Sequence, residues 1–179
     1  MLFQETGLRG AWIIEPEPIA DERGSFARTF CEREYAARRL CTRFVQHSQS
    51  HSLKEGTLRG MHFQAEPDAE VKVVSCLRGA ILDIIADLRP PSATYLQWVA
   101  VELTAANRRQ IYVPKGFAHG FITLCDDAMV NYLISEFHKP ERGRGIRYDD
   151  PALGILWPRE PSVVSDKDLN WEPLSPQSA

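Results

Sequence analysis

Short apolar segments rich in β-branched or aromatic residues recur along the middle of the chain. They lie at residues 71–77, 80–86, 95–103, 109–113, 120–124 and 128–134, and clusters of Pro, Gly, Asn or Asp separate them. Segments of this length and composition are typical of β-strands. Because only Arg78 and Gly79 separate the first two, we predict that these strands pair as a hairpin that turns at the glycine.

The rest of the sequence pattern predicts few helical residues. Many short strands at close spacing predict an all-β sandwich or barrel. Residues 32–40 are the best helix candidate, because charged residues interleave with Tyr35, Ala36 and Leu40 as on a surface helix. Residues 140–157, rich in Gly and Pro, predict an ordered loop that wraps the sheet, and a mostly irregular tail follows to Ala179.

Composition favours one folded domain. The chain has 179 residues, of which 44% are hydrophobic and 25% are charged. This is enough for one well-buried core, whereas two domains would each lie near the lower size limit. We therefore expect residues 1–179 to form a single domain.

Charge and hydropathy exclude several classes of partner. Lys and Arg number 21 against 24 Asp and Glu, so no global basic field exists to hold a nucleic acid or an anionic membrane. Apolar runs are short and Glu5 precedes any of them, so we expect neither a transmembrane span nor a signal peptide, and a cytoplasmic location. The four cysteines show no C-x-x-C spacing, which favours reduced thiols over a zinc knuckle or a disulfide framework.

A cation and a histidine flank a glycine in Gly56-Thr-Leu-Arg-Gly-Met-His-Phe-Gln. Arg59 and His62 would face opposite sides of a regular strand, so we expect a bulge or bend at Gly60 that redirects one of them. Lys72 follows among valines, where its ammonium group lies either at a strand edge or in a cavity. Taken alone, His62 could be an ordinary structural histidine, and the Lys72 side chain could simply be exposed to solvent.

A second candidate lies in Val113-Pro-Lys-Gly-Phe-Ala-His-Gly-Phe, where a tight Pro-x-Gly turn precedes His119. This segment resembles the second motif of the cupin superfamily, whose jelly-roll barrels hold small ligands. Metal-dependent cupins combine such a histidine with a His-x-His pair and a glutamate, but here His62 is followed by Phe63 and Gln64. A metal-dependent oxygenase or isomerase that uses His62 and His119 is therefore an alternative with an incomplete ligand set, and we predict no metal.

Four further residues have an ordinary interpretation when taken singly. Arg23 and Phe26 in Asp21-Glu-Arg-Gly-Ser-Phe could hold a phosphate and stack on a base, or could simply belong to a turn. Tyr132 could be a core tyrosine, and Asp168 a turn residue of the tail.

Taken in order from about Pro16 to Asp168, these segments resemble the dTDP-4-dehydrorhamnose 3,5-epimerase family, small jelly-roll enzymes of deoxysugar biosynthesis. The most specific strings are Leu58-Arg-Gly-Met-His-Phe-Gln and Gly116-Phe-Ala-His-Gly-Phe at this separation. The resemblance implies a cupin-type double-stranded β-helix (jelly roll) with one or two short surface helices. It also implies a cofactor-free epimerisation at C3, C5 or both of a nucleoside-diphosphate 4-keto-6-deoxyhexose.

The resemblance also assigns roles to residues. A base removes a proton that the 4-keto group acidifies, and an acid returns one to the opposite face of the ring. His62 matches the base, Asp168 the carboxylate that orients it, Tyr132 the proton donor, and Lys72 the cation that stabilises the enolate oxygen. The resemblance also places substrate contacts at Arg28, Gln46, Ser48, Arg59, His119, His138 and Lys167, with Arg23 and Phe26 reaching the site from the neighbouring subunit of a homodimer.

Several positions depart from the family pattern, including His47-Ser48-Gln49, which stand where Asp-Asn-His is common. Arg28 stands where a glutamate is common, and because arginine only donates hydrogen bonds, it suits cytosine or guanine and keeps CDP and GDP open beside dTDP. His138 stands where a tyrosine is usual and bears on which carbon is epimerised, and Gly143 replaces a common glutamate. A non-catalytic nucleotide-sugar binding protein is the remaining alternative, although a pure binder needs no opposed acid and base.

Overall fold

Residues 1–174, which the computed structural model describes, form thirteen β-strands and two short α-helices. Eleven strands build two antiparallel sheets. The six-stranded sheet contains, in spatial order, β1 (Leu2–Glu5), β2 (Trp12–Glu15), β10 (Gln110–Val113), β7 (Lys72–Arg78), β12 (Ala128–Ile134) and β5 (Gln46–Ser52). The five-stranded sheet contains β13 (Gly143–Gly145), β6 (Leu58–Gln64), β11 (Phe117–Thr123), β8 (Ala80–Asp87) and β9 (Trp98–Thr104), while β3 (Ile19–Asp21) and β4 (Gly24–Phe26) pair as a separate hairpin.

The main hydrophobic core lies between the two sheets. Val74 and Val130 from the six-stranded sheet pack in one cluster with Ile81, Ile85 and Phe121 from the five-stranded sheet. Alternate residues on the same strands face outward and join two smaller clusters, one around Tyr35 and one beneath the segment that follows β13. Two antiparallel sheets packed face to face, with neighbours that are distant in sequence, form the jelly roll expected from the resemblance.

The predicted hairpin at Gly79 is wrong. Its two strands, β7 and β8, form as expected but belong to different sheets, since β7 pairs with β10 and β12 whereas β8 pairs with β9 and β11. Gly79 has a φ of 76°, and a side chain there would meet the Cys125 sulfur at 2.7 Å. The glycine therefore allows the chain to cross from one sheet to the other, which local pattern cannot distinguish from a hairpin turn.

The other predicted strands are present with shifted ends. The strand predicted from residue 95 begins at Trp98, because Tyr95, Leu96 and Gln97 form turns. The loop predicted at residues 140–157 contains a short 3₁₀ helix and β13, which extends the five-stranded sheet beyond β6.

The predicted helix at residues 32–40 is shorter than expected. Helix α1 spans Glu32–Ala36 and buries only Tyr35, while Ala36 is exposed. Arg39 has a left-handed φ of 59°, and the Leu40 amide donates to the Tyr35 carbonyl, which closes the helix end. A second helix, α2 (Asp166–Leu169), lies in the tail that the pattern indicated to be mostly irregular; residues 175–179 of that tail lie outside the described residues.

The bulge expected at Gly60 is confirmed. His62 pairs with His119 but Arg59 pairs with Phe121, so β6 has one more residue than β11 over this stretch. Gly60 has a φ of 143°, and a Cβ atom there would lie 2.5 Å from the Gly120 Cα atom. The two strands approach so closely at this point that only glycine fits, and the extra residue turns Arg59 and His62 toward the same cavity.

Among residues 1–174, no helix is both long and apolar enough to cross a membrane.

Candidate active site

A cavity of about 750 Å³ opens between the two sheets at one end of the sandwich. Of the thirteen site residues that the sequence indicated, all within the described part of the chain, ten line this cavity. These ten are Gln46, Ser48, Arg59, His62, Lys72, His119, Tyr132, His138, Lys167 and Asp168. Residues spread over more than 120 positions of the chain thus meet in one concave site.

His62 and Asp168 form a hydrogen-bonded pair in the cavity wall. The His62 Nε2 atom lies 2.6 Å from Asp168 Oδ1, and the imidazole remains 39% exposed while the Asp168 side chain is 5% exposed. Burial by itself would raise the pKa of Asp168, but hydrogen bonds from His62, the Gly60 amide and Trp171 hold that pKa below its usual range. Asp168 is therefore a fixed carboxylate that orients an imidazole open to a ligand.

Local structure places Asp168 at this position. Helix α2 begins after Ser165, whose hydroxyl accepts a hydrogen bond from the Asp168 amide at 3.2 Å. Such an N-cap contributes about 1 kcal/mol to the stability of a helix end. The cap sets the direction of the short helix and, with it, the direction in which the carboxylate points toward β6.

Tyr132 approaches the cavity from the opposite sheet. Its hydroxyl lies 3.0 Å from Ser50 Oγ, and its ring packs edge-on against His119 at 6.1 Å between centroids. Burial raises the pKa of Tyr132 above its usual value, opposed by the hydrogen bond with Ser50. The phenol is thus held protonated, which is the form able to donate a proton.

Strand alternation places the Lys72 side chain of β7 in the site. Lys72 shares a face with the core residues Val74 and Cys76, so its side chain points inward. Its Nζ atom lies 2.8 Å from Glu70 Oε1, and both side chains are largely buried. An ammonium group held by one carboxylate still has donors for a ligand oxygen.

A second histidine pairs with a second carboxylate. His119 Nε2 lies 2.7 Å from Asp83 Oδ2, and both side chains are almost completely buried. Burial raises the pKa of Asp83, opposed by the nearby charges of His119 and Lys72. His119 lies directly opposite His62 across the β6–β11 pair, so both imidazoles face the same cavity.

Polar side chains define the rim. Arg59 donates from Nε to Ser52 Oγ at 3.1 Å and from Nη2 to the His51 carbonyl at 3.0 Å. The Gln46 side-chain oxygen accepts a hydrogen bond from the His138 amide at 2.6 Å, which ties the segment after β12 to the edge strand β5. Both contacts fix charged or polar groups at the cavity mouth.

Arg23, Phe26 and Arg28 lie outside the cavity. The first two belong to the β3–β4 hairpin, every residue of which is exposed, and Phe26 is 74% exposed. Arg23 forms an ion pair with Asp21 at the hairpin turn. Arg28 Nη1 lies 3.8 Å from Glu34 Oε1 of α1, and the Arg28 side chain is largely exposed.

Sequence reasoning missed three residues that the structure brings to the site. Asp83 had a visible signal, because an acid in the middle of an apolar strand must have a partner when that strand is buried. Glu70 had a weaker one, two residues from Lys72 and therefore on the same face of an extended chain. Trp171 had none, since it lies beyond the last motif in a segment without periodicity.

The histidines do not converge as metal ligands do. Both Nε2 atoms are engaged by separate carboxylates, of Asp168 and Asp83. Over the described ranges, no group of three His, Cys, Asp or Glu side chains is arranged to hold an ion. No feature of the donor set therefore favours the metal-dependent alternative.

Comparison with known proteins identifies the class. A crystal structure of dTDP-4-dehydrorhamnose 3,5-epimerase from Bacillus anthracis, with TDP and PPi bound, superposes with a TM-score of 0.93 at 38% identity and covers 97% of this chain and 99% of that chain. A 3′-monoepimerase from Streptomyces bikiniensis in complex with dTDP-quinovose superposes with a TM-score of 0.87 at 32% identity, covering 94% and 85%. The fold is therefore that of the jelly-roll epimerases.

Sequence similarity gives the family. The dTDP-4-dehydrorhamnose 3,5-epimerase of Methanothermobacter thermautotrophicus is 47% identical over 175 residues, 96% of this chain and 94% of its own. The family model for dTDP-4-dehydrorhamnose 3,5-epimerase matches residues 5–176. The chain belongs to the dTDP-4-dehydrorhamnose 3,5-epimerase family and is an isomerase.

Proposed function

We propose that this protein epimerises a dTDP-linked 4-keto-6-deoxyhexose through an enolate, with His62 as the base and Tyr132 as the acid. One observation carries the proposal: the two side chains enter one cavity from opposite sheets, His62 on β6 and Tyr132 on β12. A sugar ring between them would have a base on one face and a proton donor on the other. Inversion at carbon requires this arrangement.

Each proton transfer of the proposed reaction can be assigned to a side chain of the cavity. The 4-keto group acidifies the hydrogens on C3 and C5, and neutral His62 takes one of them as the C–H bond breaks and an enolate forms. Asp168 stabilises the resulting imidazolium, as its hydrogen bond to Nε2 supports. Lys72 donates a hydrogen bond to the enolate oxygen at C4, and Tyr132 protonates the carbon that His62 deprotonated, C3 or C5, from the opposite face as the carbonyl re-forms. The His62 imidazolium then gives its proton to solvent and the Tyr132 phenolate takes one up, which restores both groups.

The relatives support dTDP as the nucleotide and leave the carbon open. One compared structure holds TDP and another, with dTDP-quinovose, is a 3′-monoepimerase. We therefore propose epimerisation at C3 and/or C5, with no cofactor. The suggestion that Arg28 favours CDP or GDP stays a prediction, because that side chain lies outside the cavity of its own subunit.

We also propose that the nucleotide is held by two subunits of a homodimer. The hairpin with Arg23 and Phe26 is exposed throughout, and an aromatic ring 74% exposed at its end has no packing role within the described chain. In a dimer, Arg23 would contact the diphosphate and Phe26 the base of a ligand in the neighbouring cavity. The net charge of −3 makes such local cations necessary for an anionic substrate.

The test is solvent isotope exchange. The protein is incubated in deuterated water with a dTDP-4-keto-6-deoxyhexose, and deuterium at C3 and C5 is followed by NMR and mass spectrometry. Incorporation by wild type and its loss in His62→Ala are expected. Wild type that incorporates no more deuterium than the variant contradicts the proposal and leaves nucleotide-sugar binding without catalysis.

Two controls separate the alternatives. Protein treated with a chelator and shown to be metal-free is expected to keep its exchange activity, whereas loss of activity that iron, manganese or zinc restores would establish the metal-dependent alternative. Binding of dTDP, CDP, GDP and UDP is compared by calorimetry. Tighter binding of CDP or GDP than of dTDP would overturn the nucleotide assignment and restore the prediction made from Arg28.

A further inference from the structure

Trp171 makes a hydrogen bond to the same carboxylate oxygen that holds the base. Its indole Nε1 donates to Asp168 Oδ1 at 3.3 Å, and His62 Nε2 lies 2.6 Å from that oxygen. The other oxygen, Oδ2, accepts from the Gly60 amide at 3.3 Å. The carboxylate is therefore restrained from three directions: by β6, by the histidine, and by the chain beyond α2.

The indole is itself held in place. A Cβ atom on Gly145 in β13 would overlap the Trp171 ring, so the ring lies directly against the glycine backbone. The Lys167 ammonium stands over the ring at 5.3 Å from the centroid, and the His62 imidazole meets it edge-on at 6.3 Å between centroids. Gly145 pairs with His62 in the β13–β6 register, so the glycine contacts the Trp171 ring and lies beside the histidine.

We propose that Trp171 is a positioning residue for the His62–Asp168 pair, acting through its indole N–H on Asp168 Oδ1. This inference rests on the proposed function, in which His62 is the base. The N–H is directed at the carboxylate, so the indole acts on the base through Asp168. Without it, the carboxylate loses one of the contacts that fix its plane, and the imidazole direction becomes less defined. Small misplacements of a catalytic group reduce rate strongly.

The variant Trp171→Phe tests the N–H while it retains an aromatic ring against Gly145. We expect kcat to fall about tenfold, the scale on which outer partners of functional side chains act, with KM unchanged. In proton NMR of the free enzyme, the His62 ring N–H shared with Asp168 is expected to shift upfield and to exchange faster with water. If Trp171 only filled space, Trp171→Phe would leave the His62 resonance unchanged and would not lower kcat while KM stayed the same.

Trp157→Phe is the matched control. Trp157 also donates its indole N–H, to the Tyr148 carbonyl at 2.8 Å, but it lies outside the cavity, so this variant is expected to keep wild-type kcat and the wild-type resonance. Gly145→Ala reaches the same contact from the other side, since the added methyl group displaces the indole. It is expected to alter the His62 resonance in the same direction as Trp171→Phe.

The outcomes distinguish this inference from the function on which it rests. Trp171→Phe with an unchanged His62 resonance, or with a raised KM and unchanged kcat, overturns the positioning role. Absence of isotope exchange in wild type overturns the function instead. The resonance is measured without substrate, so the contact of Trp171 with the pair is tested in either case.

Discussion

His62 Nε2 and Asp168 Oδ1 lie 2.6 Å apart although 106 positions separate the two residues in the chain. The contact joins strand β6 of the five-stranded sheet to helix α2 near the end of the described chain. The C-terminal segment therefore completes the candidate site, and the folding of α2 is coupled to the orientation of the imidazole.

Replacing the base should strongly reduce deuterium exchange. We expect His62→Ala to lower kcat for deuterium incorporation about 10²–10⁴-fold, because a positioned general base contributes on that scale. Asp168→Asn should have a smaller effect in the same direction, since the imidazole remains. His47→Ala is the control: this histidine lies on β5 outside the cavity lining, and equal loss in that variant would contradict the assignment.

Replacing the acid should separate exchange from inversion. In Tyr132→Phe the base survives, so deuterium should still enter the substrate, but inverted product should be largely lost because no proton donor faces the other side of the ring. NMR of the recovered sugar measures both quantities. Tyr148→Phe, outside this cavity, should behave as wild type. Normal inversion by Tyr132→Phe would exclude Tyr132 as the donor.

The two members of the Glu70–Lys72 ion pair should contribute unequally to kcat. We expect Lys72→Met to lower kcat about 10²–10³-fold, the cost of removing one donor to a developing oxyanion. Glu70→Gln keeps the ammonium group and an oxygen acceptor, so it should lose much less. Steady-state kinetics on both variants test this, and a larger loss in Glu70→Gln would reverse the assignment of roles.

Asp87 should control stability at acid pH. Its two oxygens accept hydrogen bonds from Arg89, Ser92 and Thr94. Burial by itself would raise the pKa of Asp87, but these donors hold it well below its usual range. Because the folded-state pKa is depressed, the contribution is present above the unfolded pKa of about 3.9 and is lost as pH falls below it.

Urea unfolding of Asp87→Asn measures that contribution. Arg89 is partly exposed, so its charge is not left buried, but an asparagine side chain cannot replace all the hydrogen bonds that the buried carboxylate accepts. The variant should therefore lose about 1–3 kcal/mol at pH 7 and show a weaker decline between pH 4 and pH 3 than wild type. Asp149→Asn breaks a more exposed pair with Arg147 and should cost at most about 1 kcal/mol. Equal losses in the two variants would contradict the role of burial.

The exposed hairpin should act on the neighbouring cavity. We expect the double variant Arg23→Ala, Phe26→Ala to bind dTDP more weakly and His62→Ala to be inactive. Mixing the two after dissociation should restore activity, because a mixed dimer has one cavity with both an intact base and an intact hairpin. Failure to regain activity, or a monomer in analytical ultracentrifugation, would exclude a hairpin that acts between subunits.

Much of the strand content could be predicted from local pattern. Strands β7 and β12 follow from their apolar composition. The roles of Lys72 and Tyr132 came from the resemblance, since each residue taken alone has an ordinary interpretation. The bulge at Gly60 was also predictable, because the odd spacing of Arg59 and His62 is incompatible with one face of a regular strand. These are short-range consequences of side-chain geometry.

The all-β class and, through two specific motifs, the family can be read from the amino-acid sequence. It takes the folded chain to show that β7 and β8 separate at Gly79, that Asp83 binds His119, and that Trp171 reaches Asp168. The physical reason is that strand pairing in a jelly roll is between distant segments. The local pattern of apolar residues indicates which face of a strand is buried. Which residue lies across the cavity depends on the pairing of strands that are far apart in the sequence.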